Sequence, residues 1–174
     1  MFSLILQSLW FFLPAYLANM APPLFKKWNL LNGLAVPINK RLFGKNKTYR
    51  GILAAVLFGM LIFIMQKFLY DYGFIKSIAL FDYNNASVIL GFLLGFGAIF
   101  GDLIKSFLKR RLGIEPGKPF IPFDQLDFVV GALLFSSVIY APPLKVIISI
   151  IIISPLLHLL VNRIGYYLHI TRKY

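Results

Sequence analysis

The sequence predicts an all-α integral membrane protein with about five transmembrane helices, an outside N-terminus and a cytosolic C-terminus. Three observations predict it. The 174 residues are 59% hydrophobic and 17% aromatic, with a mean hydropathy of +0.79. That is more apolar mass than a polar surface can cover. Five stretches are long and apolar enough, or nearly so, to cross a bilayer, which takes about 20 residues. Finally, 18 Lys and Arg against 6 Asp and Glu give a net charge of +12, and the bases are unevenly spread along the chain. The same numbers exclude a disordered chain. In a soluble protein so basic a balance suggests nucleic acid. In a chain this hydrophobic it reads as positive-inside topology, with no nucleic-acid partner. The absence of cysteine excludes disulfides, thiolate zinc sites and a cysteine nucleophile. The two histidines, His158 and His169, cannot supply a metal triad alone.

The expected spans run from about Ser3 to Met20, Gly51 to Tyr70, Ala86 to Lys105, Asp127 to Pro143 and Lys145 to Asn162. The first lacks the basic flank and small-residue cleavage site of a signal peptide and is read as a span. Pro14, Asn19, Pro22 and Pro23 are expected to shape its end. The last two spans are separated by Ala141-Pro142-Pro143-Leu144-Lys145, which reads as a tight hairpin between antiparallel helices. Trp10, Phe11, Phe12, Tyr70, Tyr72, Tyr166 and Tyr167 read mostly as interfacial anchors or lipid-facing bulk. One membrane domain over residues 1–174 accounts for the chain, with cytosolic loops at about 22–50 and 106–126.

Charge sets the orientation. Lys26, Lys27, Lys40, Arg41, Lys45, Lys47 and Arg50 fall in the first loop region. Lys105, Lys109, Arg110, Arg111 and Lys118 fall in the second, and Arg163, Arg172 and Lys173 in the C-terminal segment. Only Lys67, Lys76 and Lys145 lie on the other side. Fifteen of the eighteen bases thus share one face, which the positive-inside rule makes cytosolic.

Four of the six acids, Asp102, Glu115, Asp124 and Asp127, lie in or beside the second cytosolic loop. Asp71 and Asp82 lie in the short external loop. Carboxylates at a membrane edge are costly unless paired, metal-bound or hydrated. Asp102 follows an apolar run containing Gly91, Gly95, Gly97 and Gly101, which let another helix approach closely. If that helix continues, Asp102, Lys105, Ser106 and Lys109 share one face. They read either as Asp–Lys pairing on a solvated helix end, or as an acid for Mg²⁺ beside bases for phosphate. Asp124 and Asp127 form Asp-x-x-Asp ahead of an apolar run, where Asp124 could cap a helix with Asp127 at its third position. The two roles are compatible. Glu115 reads as a surface charge. His158, deep in the last span, reads as a helix–helix hydrogen-bonding group with no partner evident in the sequence.

The first loop contains Phe43-Gly44-Lys45-Asn46-Lys47-Thr48-Tyr49-Arg50-Gly51. It is not a phosphate-binding loop of the Walker type, because Asn46 follows Lys45 and Asn39 stands where a glycine is required. A glycine on each side of Lys47, Thr48 and Arg50 still allows the segment to wrap a polyphosphate. Lys26, Lys27, Arg172 and Lys173 read as ordinary basic flanks.

The stretch from Gly101-Asp102 through Ser106, Lys109 and Arg110 to Asp124-Gln125-Leu126-Asp127, followed by Gly131, resembles the signature of the phosphatidate cytidylyltransferase superfamily. Lys47-Thr48-Tyr49-Arg50-Gly51 resembles its second, shorter motif. The short length, Pro116-Gly117, the Asp-Gln-Leu-Asp ending, and Pro14, Tyr16, Asn19 and Pro22 look like the archaeal branch, the CDP-archaeol synthases. The resemblance covers most of the chain. The sequence departs from the bacterial pattern in lacking a His-Gly-Gly element and in reading Asp-Gln where Asp-Arg is usual. By analogy, this favours an ether-linked isoprenoid lipid over a diacyl one.

The resemblance implies a nucleotidyltransferase that joins CMP from CTP to a lipid glycerol phosphate held in the bilayer, releasing pyrophosphate. It implies that Asp102, Asp124 and Asp127 hold Mg²⁺, and that Lys105, Ser106 and Lys109 belong to the catalytic group. Lys47, Thr48, Arg50, Lys105, Lys109, Arg110 and Arg111 would bind the phosphates. Three readings stay open beside it: a cytidylyltransferase for diacyl phosphatidate, a CDP-alcohol phosphotransferase, and a small transporter or scaffold. The phosphotransferase's Asp-Gly-x-x-Ala-Arg pattern does not occur here. A transporter would place its site on broken helices near the midplane, where only Pro155 and His158 stand. Oligomeric state is not legible.

Overall fold

Pro14, Pro22 and Pro23 all fall inside the first helix and none of them ends it. In the computed structural model, which describes residues 2–115 and 118–168, helix α1 runs Phe2–Lys27 without interruption. Proline removes the hydrogen bond to the carbonyl four residues back. At Pro14 that carbonyl belongs to Trp10, and the fully buried Gln66 amide donates to it at 2.5 Å. The first span thus continues past the expected end at Met20.

The remaining helices are α2 (Tyr49–Leu69), a short α3 (Gly73–Ile78), α4 (Ile89–Arg111), α5 (Phe123–Ser136) and α6 (Leu144–Tyr167). No strand occurs among the described residues, where an isolated bridge joins Pro37 to Thr48. The connections between α1 and α2 and between α4 and α5 are 28–48 and 112–122, shorter than expected because the helices extend into them. Pro116, Gly117, His169, Arg172 and Lys173 lie outside the described residues.

Among the described residues, α1, α2, α4 and α6 are long and apolar enough to span a membrane. The expected fourth span differs. Its helix starts at Phe123, four residues before Asp127, and has 14 residues. At 1.5 Å per residue it is about 21 Å long, short of the roughly 30 Å hydrocarbon core. Residues 137–143 then lead to α6, with Pro143 at its N-terminal boundary.

Glycines set the spacing of the central helices. A Cβ at Gly95 would meet the Ala55 carbonyl oxygen of α2 at 2.7 Å, and one at Gly97 would meet Ala132 Cα of α5 at 2.8 Å. So α4 lies in backbone contact with α2 on one side and α5 on the other, as small residues permit in apolar bundles. Phe11, Phe12 and Tyr70, expected at the lipid face, are instead buried in the core with Phe63, Tyr83 and Phe128. Tyr72, Tyr166 and Tyr167 are exposed, as expected. Lys67 fastens the connection that precedes α4, its ammonium donating to the carbonyls of Tyr83, Asn84 and Ala86.

Candidate active site

The three aspartates singled out in the sequence converge on one lysine. Lys105 Nζ lies 3.0 Å from Asp102 Oδ1, 3.3 Å from Asp124 Oδ1 and 2.7 Å from Asp127 Oδ2. The Asp102 pair is the helical i,i+3 spacing. The other two come from α5, drawn in by the close approach at Gly101, where an added Cβ would collide with the Asp127 carbonyl oxygen. The pairing reading of Asp102 and Lys105 therefore holds, but the lysine is shared by three carboxylates and little exposed rather than solvated. The side chains of Asp102, Lys105 and Asp127 are 14%, 13% and 6% exposed.

Two more lysines close the cluster. Lys47, from the loop before α2, pairs with Asp102 Oδ2. Lys109, one turn after Lys105, lies 3.2 Å from Asp124 Oδ1 and donates to the Lys118 carbonyl at 2.5 Å. Asp124 does not cap α5, whose boundary residue is Pro122. Its Oδ2 accepts from the Phe120 backbone amide. Burial pushes the Asp124 carboxyl up, but that amide and the Lys105 and Lys109 ammonium groups outweigh burial and hold it below the usual carboxylate range.

The other candidates are placed less directly. Ser106 is buried and turns back to donate to the Asp102 carbonyl at 2.8 Å. Its hydroxyl hydrogen is spent within the helix. Thr48 caps α2, its Oγ1 accepting from Gly51 N at 3.2 Å. Arg50 is buried and donates to Asn32 Oδ1 at 2.9 Å, tying the first loop to the start of α2. Arg111 points away from the cluster and lies over the Phe107 ring at 5.1 Å. Arg110 Nε is buried without a hydrogen-bond partner among the described residues. Glu115 is exposed, as expected.

A cavity of about 560 Å³ reaches the cluster at Asp102 and Lys47, within the usual range for small-molecule sites. Its lining takes Lys45, Asn46, Thr48 and Arg50 from the loop before α2 and its first turn, and further residues from α1, α4 and α6. The sequence reading missed Asn46, Asn162 and the cavity itself. It also missed the partner of His158, which is Asn162: its amide nitrogen lies 3.3 Å from His158 Nδ1. The i,i+4 spacing of Ser154, His158 and Asn162 in an otherwise apolar helix was the available signal.

Among the described residues, no three acidic or histidine side chains form a ready metal cage, because the Lys105 ammonium holds the centre. The donor chemistry nevertheless suits a hard dication. Three carboxylates converge within 3.3 Å of a single point. Asp127 Oδ2 is buried and touches only that ammonium, with no well-angled hydrogen bond.

Fold and site define a multi-pass membrane protein with a cation-ringed carboxylate cluster at one end of its bundle. A family model described as "CarS-like: CDP-archaeol synthase" matches residues 1–173, and the chain belongs to that family. Among its relatives, the CDP-archaeol synthase of Methanocaldococcus jannaschii is 41% identical over 97% of this chain and 96% of its own length. That of Methanococcoides burtonii is 40% identical over 92% and 98%, and that of Pyrococcus furiosus 35% over 93% of each. A solved structure described as an intramembrane enzyme for archaeal membrane lipid biosynthesis superposes with a TM-score of 0.70. It is 29% identical and covers 91% of this chain and 94% of that one.

Proposed function

We propose that the cluster around Lys105, with the Lys47 loop, is the site where a CTP-dependent lipid cytidylyltransferase joins its two substrates. The activity is that of a CDP-archaeol synthase, transferring CMP from CTP to an archaeol-type glycerol phosphate. A phosphate oxygen of the lipid bonds to the α-phosphorus of CTP. The bond from that phosphorus to the bridging oxygen breaks, and pyrophosphate leaves. A phosphate monoester is largely a dianion at neutral pH, its second pKa lying near 6, so no general base is required. That suits a cluster built from lysines and aspartates, in which no histidine and no thiol takes part among the described residues.

The obstacle is the meeting of two polyanions. Like unit charges about 4 Å apart repel by about 4 kcal/mol at an effective dielectric of about 20. Lys47, Lys45 and Arg50 line the cavity and counter this charge by positioning and electrostatics. Thr48 fixes the start of α2 and so the direction of the loop. Lys105 and Lys109 hold the three carboxylates together. Asp102, Asp124 and Asp127 would hold Mg²⁺, which when bound polarises phosphate oxygens and neutralises developing charge.

The bases on the helix ends around the cluster favour the cytosolic side of the cell membrane. The alternation of α1, α2, α4, α5 and α6 supports five passes, with α5 and residues 137–143 together making the fourth. The whole chain then forms one membrane domain.

The single observation that carries this reading is the convergence of Asp102, Asp124 and Asp127 on Lys105. Labelled CTP and archaeol-type glycerol phosphate in detergent test it. Asp102→Asn and Asp127→Asn should each lower CDP-lipid formation by at least about 10²-fold, and a chelator should abolish wild-type activity until Mg²⁺ is restored. Full activity of both variants would refute the assignment.

A further inference from the structure

Helix α6 is apolar along most of its length, yet Ser154, His158 and Asn162 repeat every fourth residue on one face. Ser154 is satisfied: it donates to the Ile150 carbonyl at 2.6 Å, and Tyr16 of α1 donates to it at 2.8 Å. His158 and Asn162 meet each other instead, at 3.3 Å, and both line the cavity that reaches Asp102. One contact cannot use the hydrogen-bonding capacity of an imidazole and a carboxamide. We infer that His158 and Asn162 bind the glycerol-phosphate head of the lipid acceptor, the carboxamide and imidazole donating to its phosphate and ether oxygens. This rests on the reaction assigned above.

Three features select the lipid rather than the nucleotide base. His158 stands nine residues before the end of α6, about 14 Å along it, within the candidate span of highest mean hydropathy. Much of the lining that α1 and α6 supply is apolar, with Met20 and Leu24 from α1 and Val161 and Ile164 from α6 beside the polar Asn19 and Lys26. That surface suits isoprenoid chains. Of the four lysines and arginines in the cavity lining, Lys45, Lys47 and Arg50 come from the loop before α2 and its first turn, and Lys26 comes from the end of α1. The two substrates would then meet in one cavity, which Asp102 borders.

Steady-state kinetics of His158→Ala and Asn162→Ala separate the substrates. The expected result is a rise of about tenfold in KM for the lipid phosphate, the loss of one or two hydrogen bonds, with KM for CTP unchanged. A second measurement covers poor folding of the alanine variants. Because the chain has no cysteine, Asn162→Cys introduces a single thiol. Lipid phosphate alone should slow its alkylation by a membrane-permeant maleimide, and CTP alone should not. The inference is overturned if KM for CTP rises instead, if neither KM moves, or if CTP is the protecting substrate. Wild-type protein that transfers no labelled CMP into lipid would overturn the reaction reading, and this inference with it.

Discussion

Gly101 of α4 faces the main-chain carbonyl of Asp127 on α5 so closely that any side chain at position 101 would collide with it. The residue after Gly101 is Asp102, and the side chain of Asp127 meets Lys105, three residues beyond Asp102. The packing of two helices and the assembly of the site are therefore one event. Gly101→Ala should push α5 away. Strain of this kind in a close-packed core costs about 1–3 kcal/mol. Thermal unfolding in detergent should show a modest loss, while CDP-lipid formation falls much further, because the cluster opens. Activity near wild type would show that the seam does not position the carboxylates.

Lys105 is shared by three carboxylates, Lys47 and Lys109 supplying the other two positive charges of the cluster. Removing one member of such a group leaves uncompensated buried charge, at a cost of about 3–5 kcal/mol. Lys105→Met should therefore lower the unfolding temperature as well as abolish activity. The double variant Lys105→Met with Asp127→Asn should recover part of the stability and none of the activity. A double variant no more stable than Lys105→Met alone would count against shared charge as the cause.

Asp124 carries an acid-sensitive share of the stability. Its folded pKa lies below its unfolded value, which is near 4. Its stabilising contribution is thus complete above about pH 4 and is lost as the pH falls through the lower, folded value. In chelator, the stability gap between wild type and Asp124→Asn should narrow as the pH is lowered from neutral to about 3. A constant gap would mean that the Phe120 amide and the lysines do not distinguish the ionised form.

Gln66 and Pro14 are coupled through the Trp10 carbonyl. With Pro14 in place, Gln66→Leu strands a buried acceptor and should cost about 1–3 kcal/mol. In a Pro14→Ala background, the new amide at position 14 can satisfy that carbonyl, and the same Gln66→Leu change should cost less. A double-mutant cycle by denaturation measures the difference. Equal costs in both backgrounds would mean that Gln66 acts only by packing.

The linear chain by itself determined the features that local chemistry sets. Hydropathy and charge placed the helices and favoured one side of the membrane. The i,i+3 spacing placed Asp102 and Lys105 together, and the motifs around Lys47 and Asp124 marked segments that the fold brings to that pair. The helix ends were less legible, because Pro14, Pro22 and Pro23 stop a helix only when nothing replaces the bonds they remove. At Pro14, the replacement comes from Gln66, 52 positions away. The burial of Phe11 and Phe12 was hidden for a similar reason: an aromatic side chain suits lipid and core equally.

Tertiary structure alone decided that Lys105 rather than an aspartate stands at the centre, that Ser106 turns inward, and that Arg111 faces away. It also brought His158 and Asn162 to the cavity that Asp102 borders. These are relations between residues far apart in sequence, or between rotamers on one helix. Periodicity carries no information about either. They are set by how closely two backbones can approach, and in this bundle that distance is fixed by glycines whose importance lies in what they leave out.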